Sequence, residues 1–403
     1  MSSLTVFFGF FLVSLFLGDG KQPFVDVFWA LGILALYALR YARLGRLSLR
    51  PLPRTVSWVW TLLLVYFAGR TLFSDSVAYS VTATVRLIEG YLLYVYFYTI
   101  TSEDTMKVFV KGLIATGLIA IGASWILLLF PKLAEFLPFM NLLYANYGHN
   151  HLANLLLPIF PLVLATIHDS RNPNSFDSGN LRNLGWVVLS IYIFGMILTF
   201  ARGAWVILVL YLLLQFVLRR HALDKRLMVG IACLFLVLFG ALAIISVKFD
   251  SLREGKSSNA LIRQIIKRPL TEDSRWGYWK QAAKAIAERP FFGSGPGTFY
   301  LQSKRLQEAP QTYSWFSHSF PLETMVEVGL VGAVLMAFVL VRSLRRSYGS
   351  PLFASACLIF AYSFFEFNVS YLSIWLLFWS MMGFVMACAS GTGSLGFHLG
   401  GGE

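Results

Sequence analysis

Charge is what this chain has least of. Only 13% of its 403 residues are Asp, Glu, Lys or Arg, where a soluble domain carries about a quarter. With 57% hydrophobic residues beside that scarcity, a soluble globular protein is excluded. Cysteine is nearly missing too. Cys233, Cys357 and Cys388 all fall in apolar runs, which leaves no disulfide framework and no metal-ligand spacing. No basic segment precedes the first apolar run and no small-residue cleavage site follows it, so that run is expected to be a retained helix. Internal repeats and low-complexity segments are absent as well.

What the chain has is apolar runs near the length that crosses a bilayer, roughly 17 to 25 residues. About twelve occur, which predicts an all-α integral membrane protein of about twelve transmembrane helices. Nine fall within residues 1–247 and three within 320–390; residues 248–319 form a long loop subdomain with short helices, and 391–403 a tail. Basic residues alternate between the loops. Arg40, Arg43, Arg46, Arg50 and Arg54 follow the second run, Arg219, Arg220, Lys225 and Arg226 the eighth, and Arg342, Arg345 and Arg346 the tenth. Loops of the other parity hold about one each, such as Lys21, Arg70 and Lys132. The positive-inside rule then puts both termini in the cytoplasm and the long loop outside. The net charge of +13 is largely topological, and no nucleic-acid partner is expected.

Inside the long loop, a helix is predicted from about Ser274 to Glu288, capped by Asp273 or Ser274 and stopped by Pro290. Trp276, Trp279, Ala283 and Ile286 recur at helical spacing as the face laid on the membrane or on the span ends. Gly293, Gly295 and Gly297 follow as a turn.

Polar residues sort to one side. Arg70, His149, His151, Arg202, Arg275 and His318 are all expected at or near the outer face. Arg202 lies in LTFARGAW at membrane depth, where an arginine costs a few kcal/mol unless it is paired or lines a cavity; snorkelling to the headgroups is the alternative. Arg275 opens the loop helix, where a cation opposes the macrodipole, and an ordinary solvated charge is the alternative. Arg86 and Glu89, three apart in the fourth run, are expected to pair with each other, with substrate contact as the alternative. His149 and His151 lack an acidic or cysteine partner, so no metal is expected there, and Glu272 with Asp273 is explained by helix capping. Glu323 and Glu327 share one helix face, so at least one is expected to be hydrogen-bonded or to face water.

Arginine forks match phosphate oxygens, and a histidine beside them can take the proton of an attacking hydroxyl. Together they describe transfer of a group from a lipid phosphate or diphosphate to an alcohol, with the arginines stabilising the leaving charge. A transporter of an anionic lipid or sugar phosphate is the competing class, although no repeat is present and the polar groups gather on one side. For His318, capping a span end in an aromatic belt beside Tyr313, Trp315 and Phe316 is the competing role.

Three segments carry a resemblance. They are TFARGAW from Thr199 to Trp205; Arg275 to Phe299 through Trp279, Ala283, Pro290, Gly293, Gly295, Gly297 and Phe299; and SHSFPLETMVEVGLVG through His318, Leu322, Glu327, Gly329 and Gly332. In order and spacing they resemble the O-antigen ligase and O-antigen polymerase superfamily, most of all the ligases, and GHNHLA before the sixth run is similar to its glycine-asparagine-asparagine element. Two positions depart from the pattern: Ala201 stands where a serine is common, and Ser319 where an asparagine follows the histidine. The resemblance implies an inverting glycosyltransferase of the GT-C type that needs neither metal nor cofactor. Its partners would be an undecaprenyl-diphosphate-linked glycan donor, a lipid A-core acceptor and membrane lipids, at the periplasmic face of a bacterial inner membrane. Arg202 and Arg275 would hold the diphosphate and His318 would act as base or orient the acceptor, with Arg70, Arg86, His149, His151 and Glu327 contacting substrate. A polymerase, or an enzyme that glycosylates protein, shares the same motifs; the short loop between the fifth and sixth runs leans toward a ligase.

Overall fold

The computed structural model describes residues 2–16, 23–130, 149–169, 178–199, 201–218, 275–309, 312–344, 350–366 and 368–389. Among them the regular structure is entirely helical. Eight helices precede the loop subdomain: α1 (Ser3–Phe16), α2 (Pro23–Leu44), α3 (Arg54–Leu72), α4 (Val77–Ile100), α5 (Glu103–Leu129), α6 (His149–Asp169), α7 (Ser178–Leu198) and α8 (Arg202–Leu218). Then come α9 (Arg275–Glu288) and α10 (Phe299–Arg305), followed by α11 (Phe320–Leu344), α12 (Pro351–Tyr362), a 3-10 turn (Asn368–Ser370) and α13 (Leu372–Ala389). Three segments, Phe24–Leu44, Glu103–Leu127 and Phe320–Leu344, are long and apolar enough to cross a membrane, and six further apolar helices are shorter. The described residues are those of a helical membrane protein. The ninth apolar run, Cys233, Glu272 and Asp273 lie outside the described residues.

Packing centres on α4 against α13. Trp60, Tyr94, Phe97 and Trp379 are buried there, with Trp60 and Trp379 edge-on at 4.7 Å. Close approach is possible because Gly90 lies under the Trp379 indole and Gly383 against the α4 backbone. On the opposite face of α3, Trp58, Leu62 and Val65 are exposed, as side chains that meet lipid should be.

One expectation is corrected. Arg86 does not pair with Glu89: its guanidinium forks onto Asp26 of α2, at 2.6 Å from Nε and 3.1 Å from Nη2. A carboxylate on a facing helix can meet the fork head-on, a geometry that favours it over a neighbour three residues along the same helix. The buried Glu89 carboxylate accepts no hydrogen bond among the described residues. In α9, Gln281, Ala282 and Ala285 are buried against the protein, and of the expected stripe Ile286 packs beside them while Ala283 stays exposed. Trp276 is exposed. The alanines let α9 come close to α11, where Ala282, Ala285, Phe299 and Val326 form a small core beside Tyr278 and Leu322.

The loop subdomain is stitched into a break in α11. At Gly329 the backbone turns to φ 64 and ψ −172, leaving the helix. Carbonyls on one side of the break accept from the glycine turn, Val326 from Ser294 N at 2.9 Å and Glu327 from Gly295 N at 2.8 Å. Amides on the other side donate back to it, Leu330 to Pro290 O at 2.8 Å and Val331 to Phe291 O at 3.2 Å. The Tyr66 hydroxyl donates to the Val328 carbonyl at 2.6 Å. An interrupted membrane helix needs such partners, because lipid offers its backbone none. Asp75, between α3 and α4, fastens the subdomain from the other side by accepting from Arg289 at 2.5 Å and Gln302 at 2.7 Å.

Candidate active site

Each candidate side chain is placed by a local device. The turn before Arg202 is tied by one carbonyl, Met196 O, which accepts from the Thr199 amide, the Thr199 hydroxyl and the Trp205 indole at 3.2, 2.6 and 3.0 Å. That knot starts α8 at Arg202, whose side chain is exposed. Gly203 lies against the Tyr362 ring; a Cβ there would stand 3.1 Å from its edge. Arg275 likewise is the first residue of α9. Two arginines at helix N-termini add cations to the positive ends of two macrodipoles, which disfavours the helices and favours an anion.

His318 is held from both sides. Glu323, one turn into α11, reaches back so that its Oε2 accepts from Ser317 N at 2.9 Å and its Oε1 from Ser370 at 3.3 Å. Ser317 in turn donates to the Ser319 carbonyl at 2.7 Å, and Phe320 N donates to Ser363 O at 2.7 Å. Between these bonds His318 adopts φ 58; it is the one residue other than glycine with positive φ among those described. The left-handed conformation costs about 1 kcal/mol or more for a side chain with a Cβ. Replacing His318 by glycine should therefore leave the fold more stable than replacing it by alanine, by about 1 kcal/mol, read from the thermal transitions of the two variants.

The centre of the site is a residue that no motif marked. Glu366 is fully buried, and its two oxygens divide between the candidates: Oε2 accepts from Arg275 Nη2 at 2.7 Å, and Oε1 meets His318 Nδ1 at 3.0 Å. Tyr278, one turn along α9 from Arg275, stacks on the His318 ring at 5.6 Å and 16°. Tyr362 lies within electrostatic reach of Glu366 and Arg275, so the helix that Arg202 opens borders the same corner. With Glu366 acting as the anionic acceptor, Nδ1 carries the proton and Nε2 is the basic nitrogen.

The segment from residue 187 to 337 matches the family model described as O-antigen ligase. The likeness is confined to that segment. It contains Arg202, Arg275 and His318, while Glu366 reaches Arg275 and His318 from beyond its end. No curated protein matches the chain.

Other predicted residues of that segment and its surroundings have structural partners. Glu327 Oε1 accepts from Phe299 N at 3.2 Å, which holds the start of α10. Arg70 donates to the Gly293 carbonyl at 3.1 Å, tying α3 to the glycine turn. His151 is buried against Tyr371, ring centres 4.6 Å apart. His149 begins α6. At the far edge of the subdomain, Arg305 hydrogen-bonds Glu288 and holds its carboxyl below the usual glutamate range.

The omission of Glu366 has a clear origin. By composition Leu352 to Val369 reads as one continuous apolar span, but α12 ends at Tyr362 and the chain turns through Ser363 to Glu366. A lone acidic residue in an apolar run is costly in lipid and marks a site or a partner by that fact alone. FFEFN held that signal.

Proposed function

We propose that this protein is a glycosyltransferase that moves a glycan from undecaprenyl diphosphate to a sugar hydroxyl of lipid A-core, at the periplasmic face of a bacterial inner membrane. The observation that carries the proposal is the Arg275–Glu366–His318 chain inside and beside the segment that matches the O-antigen ligase family. In the reaction, the acceptor oxygen forms a bond to the anomeric carbon as the bond from that carbon to the diphosphate oxygen breaks. The bonding pair leaves with the diphosphate, and the hydroxyl proton passes to His318 Nε2. Attack opposite the leaving group inverts the anomeric centre. Arg202 and Arg275, each at a helix N-terminus, offer charge and amide donors to the departing diphosphate, whose negative charge grows in the transition state. Glu366 fixes the imidazole tautomer and orients Arg275, as the carboxylate of a catalytic triad orients its histidine.

Purified protein with a synthetic undecaprenyl-diphosphate glycan and lipid A-core tests this. Wild type should transfer the glycan, and Arg202→Ala and Arg275→Ala should each lower kcat/KM by a hundredfold or more, the scale of losing a donor to developing charge. Extension of the donor glycan without transfer to lipid A-core would make the protein a polymerase. Folded wild-type protein with neither activity would overturn the proposal in favour of transport.

A further inference from the structure

Four aromatic rings, gathered around Trp315 three residues before His318, have no part in the chemistry above. Trp315 stacks face to face on Tyr300, with ring centres 3.9 Å apart and planes within 8°. Tyr79 meets both rings edge-on, at 6.2 Å from Trp315 and 6.4 Å from Tyr300, and Tyr313 closes the far edge of Tyr300 at 5.6 Å. Tyr300 covers one face of the Trp315 indole, and the residue as a whole remains 55% exposed. The segment carrying it is pinned on both sides. Ser314 N donates to Ser303 Oγ at 2.9 Å, Ser303 donates to Gln281 at 2.6 Å, and Ser317 is held by Glu323.

We propose that the open face of Trp315 is a saccharide subsite, on which a pyranose ring of the glycan handled at His318 stacks. The proposal rests on the glycosyl-transfer reading. A pyranose presents a face of C–H bonds carrying partial positive charge, and the face of an indole carries the negative lobe of its quadrupole, so the two attract when the ring is held open. Rigidity favours a subsite over a membrane anchor. An interfacial tryptophan needs only to sit at headgroup depth, whereas a ring already locked by a parallel neighbour and a pinned backbone spends little entropy on binding. Trp315 also lies three residues from His318, which bounds the distance between their Cα atoms at about 11 Å. That reach places a ring on Trp315 close to the reacting sugar, and the proposal assigns it to the neighbouring sugar of the same glycan.

The experiment uses full-length protein in detergent and in nanodiscs. Undecaprenyl diphosphate bearing a monosaccharide is compared with the same lipid bearing a tetrasaccharide, at fixed lipid A-core; a complete core is then compared with a truncated core at fixed donor. Wild type should prefer the longer saccharide on one of these two sides, which identifies whether donor or acceptor occupies the subsite. In Trp315→Ala that preference, read as a ratio of kcat/KM values, should fall about tenfold. Trp315→Leu should behave as the alanine variant does, because it keeps bulk and loses the π face, while Trp315→Phe should recover most of the preference. If Trp315→Ala does not fold, the leucine and phenylalanine pair decides alone. An unchanged preference in the leucine variant overturns the subsite, and so does an equal loss on every substrate, which would make Trp315 a support for His318. A loss seen in nanodiscs and not in detergent would overturn it in favour of a membrane anchor. Absence of any transfer by folded wild type would overturn the transferase reading itself, and this proposal with it, before the variants are compared.

Discussion

Replacing Glu366 by glutamine is expected to lower kcat by about a hundredfold while the KM for donor changes far less, because the side chain sets up His318 without touching substrate. Glutamine fills the same volume and still accepts one hydrogen bond, so the fold should survive. What it loses is the anion that holds Nδ1–H on one side and the Arg275 guanidinium on the other. Alanine should do more. It leaves Arg275 without this partner in a largely buried position, and breaking such a pair costs about 3 kcal/mol. A residue that merely supported the fold would lower activity in step with the folded fraction, and glutamine would then be nearly silent. Kinetics of Glu366→Gln under conditions where its thermal transition matches wild type separate the two. Wild-type kcat there would remove Glu366 from the site. A double-mutant cycle with His318→Ala adds a second check: residues that work as one unit do not lose activity additively, so the pair should be little worse than His318→Ala alone.

How far the sequence carried depends on what kind of signal each feature has. Apolar runs are read from composition, and eleven of the twelve hold helices among the described residues, the one from Leu352 being cut short at Tyr362; the other run lies outside the described residues. Arg202, Arg275 and His318 stand out as candidates because each breaks a local rule: an arginine at membrane depth, a cation at a helix start, a histidine at the lip of an apolar run. Glu366 breaks one too, yet it was absorbed into a run long enough to pass as a span. Pairings across the bundle have no such local mark. Arg86 chose Asp26, sixty positions away in sequence, over Glu89 on its own helix, and only the approach of α2 to α4 decides that. Which face of α9 meets α11 is likewise unmarked by periodicity: the small Ala282 and Ala285 let α11 come closer than tryptophan would.

The glycines of the motifs are explained by backbone geometry, and the largest structural effect expected in the molecule follows from one of them. Gly329 sits at φ 64 and ψ −172, a region open in practice to glycine alone. A Cβ added there would stand 2.5 Å from the Phe292 amide nitrogen, with the Phe291 carbonyl closer still. Both obstacles are backbone, so no side chain can swing away to make room. Gly329→Ala is therefore expected to cost about 3 kcal/mol or more, from strain and from the four hydrogen bonds that pair residues 290–295 with the break in α11. The damage should be directional. Freed of that seam, the segment that carries Arg289, the glycine turn and α10 loses its registration on α11, and with it the start of the chain toward His318. Hydrogen exchange at Ser294, Gly295, Leu330 and Val331 should rise together in Gly329→Ala while amides in α4 and α13 stay protected, and transfer should fall by at least as much as in Glu366→Gln. Gly332→Ala tests the specificity of the argument. Its added Cβ meets the side chains of Val328 in the same helix and Tyr66 of α3 rather than a facing backbone, so it should be milder. Equal exchange at the seam in Gly329→Ala and wild type would mean that the break in α11 does not hold the subdomain, and the positioning of His318 would then have to come from Glu323 and Ser363 alone.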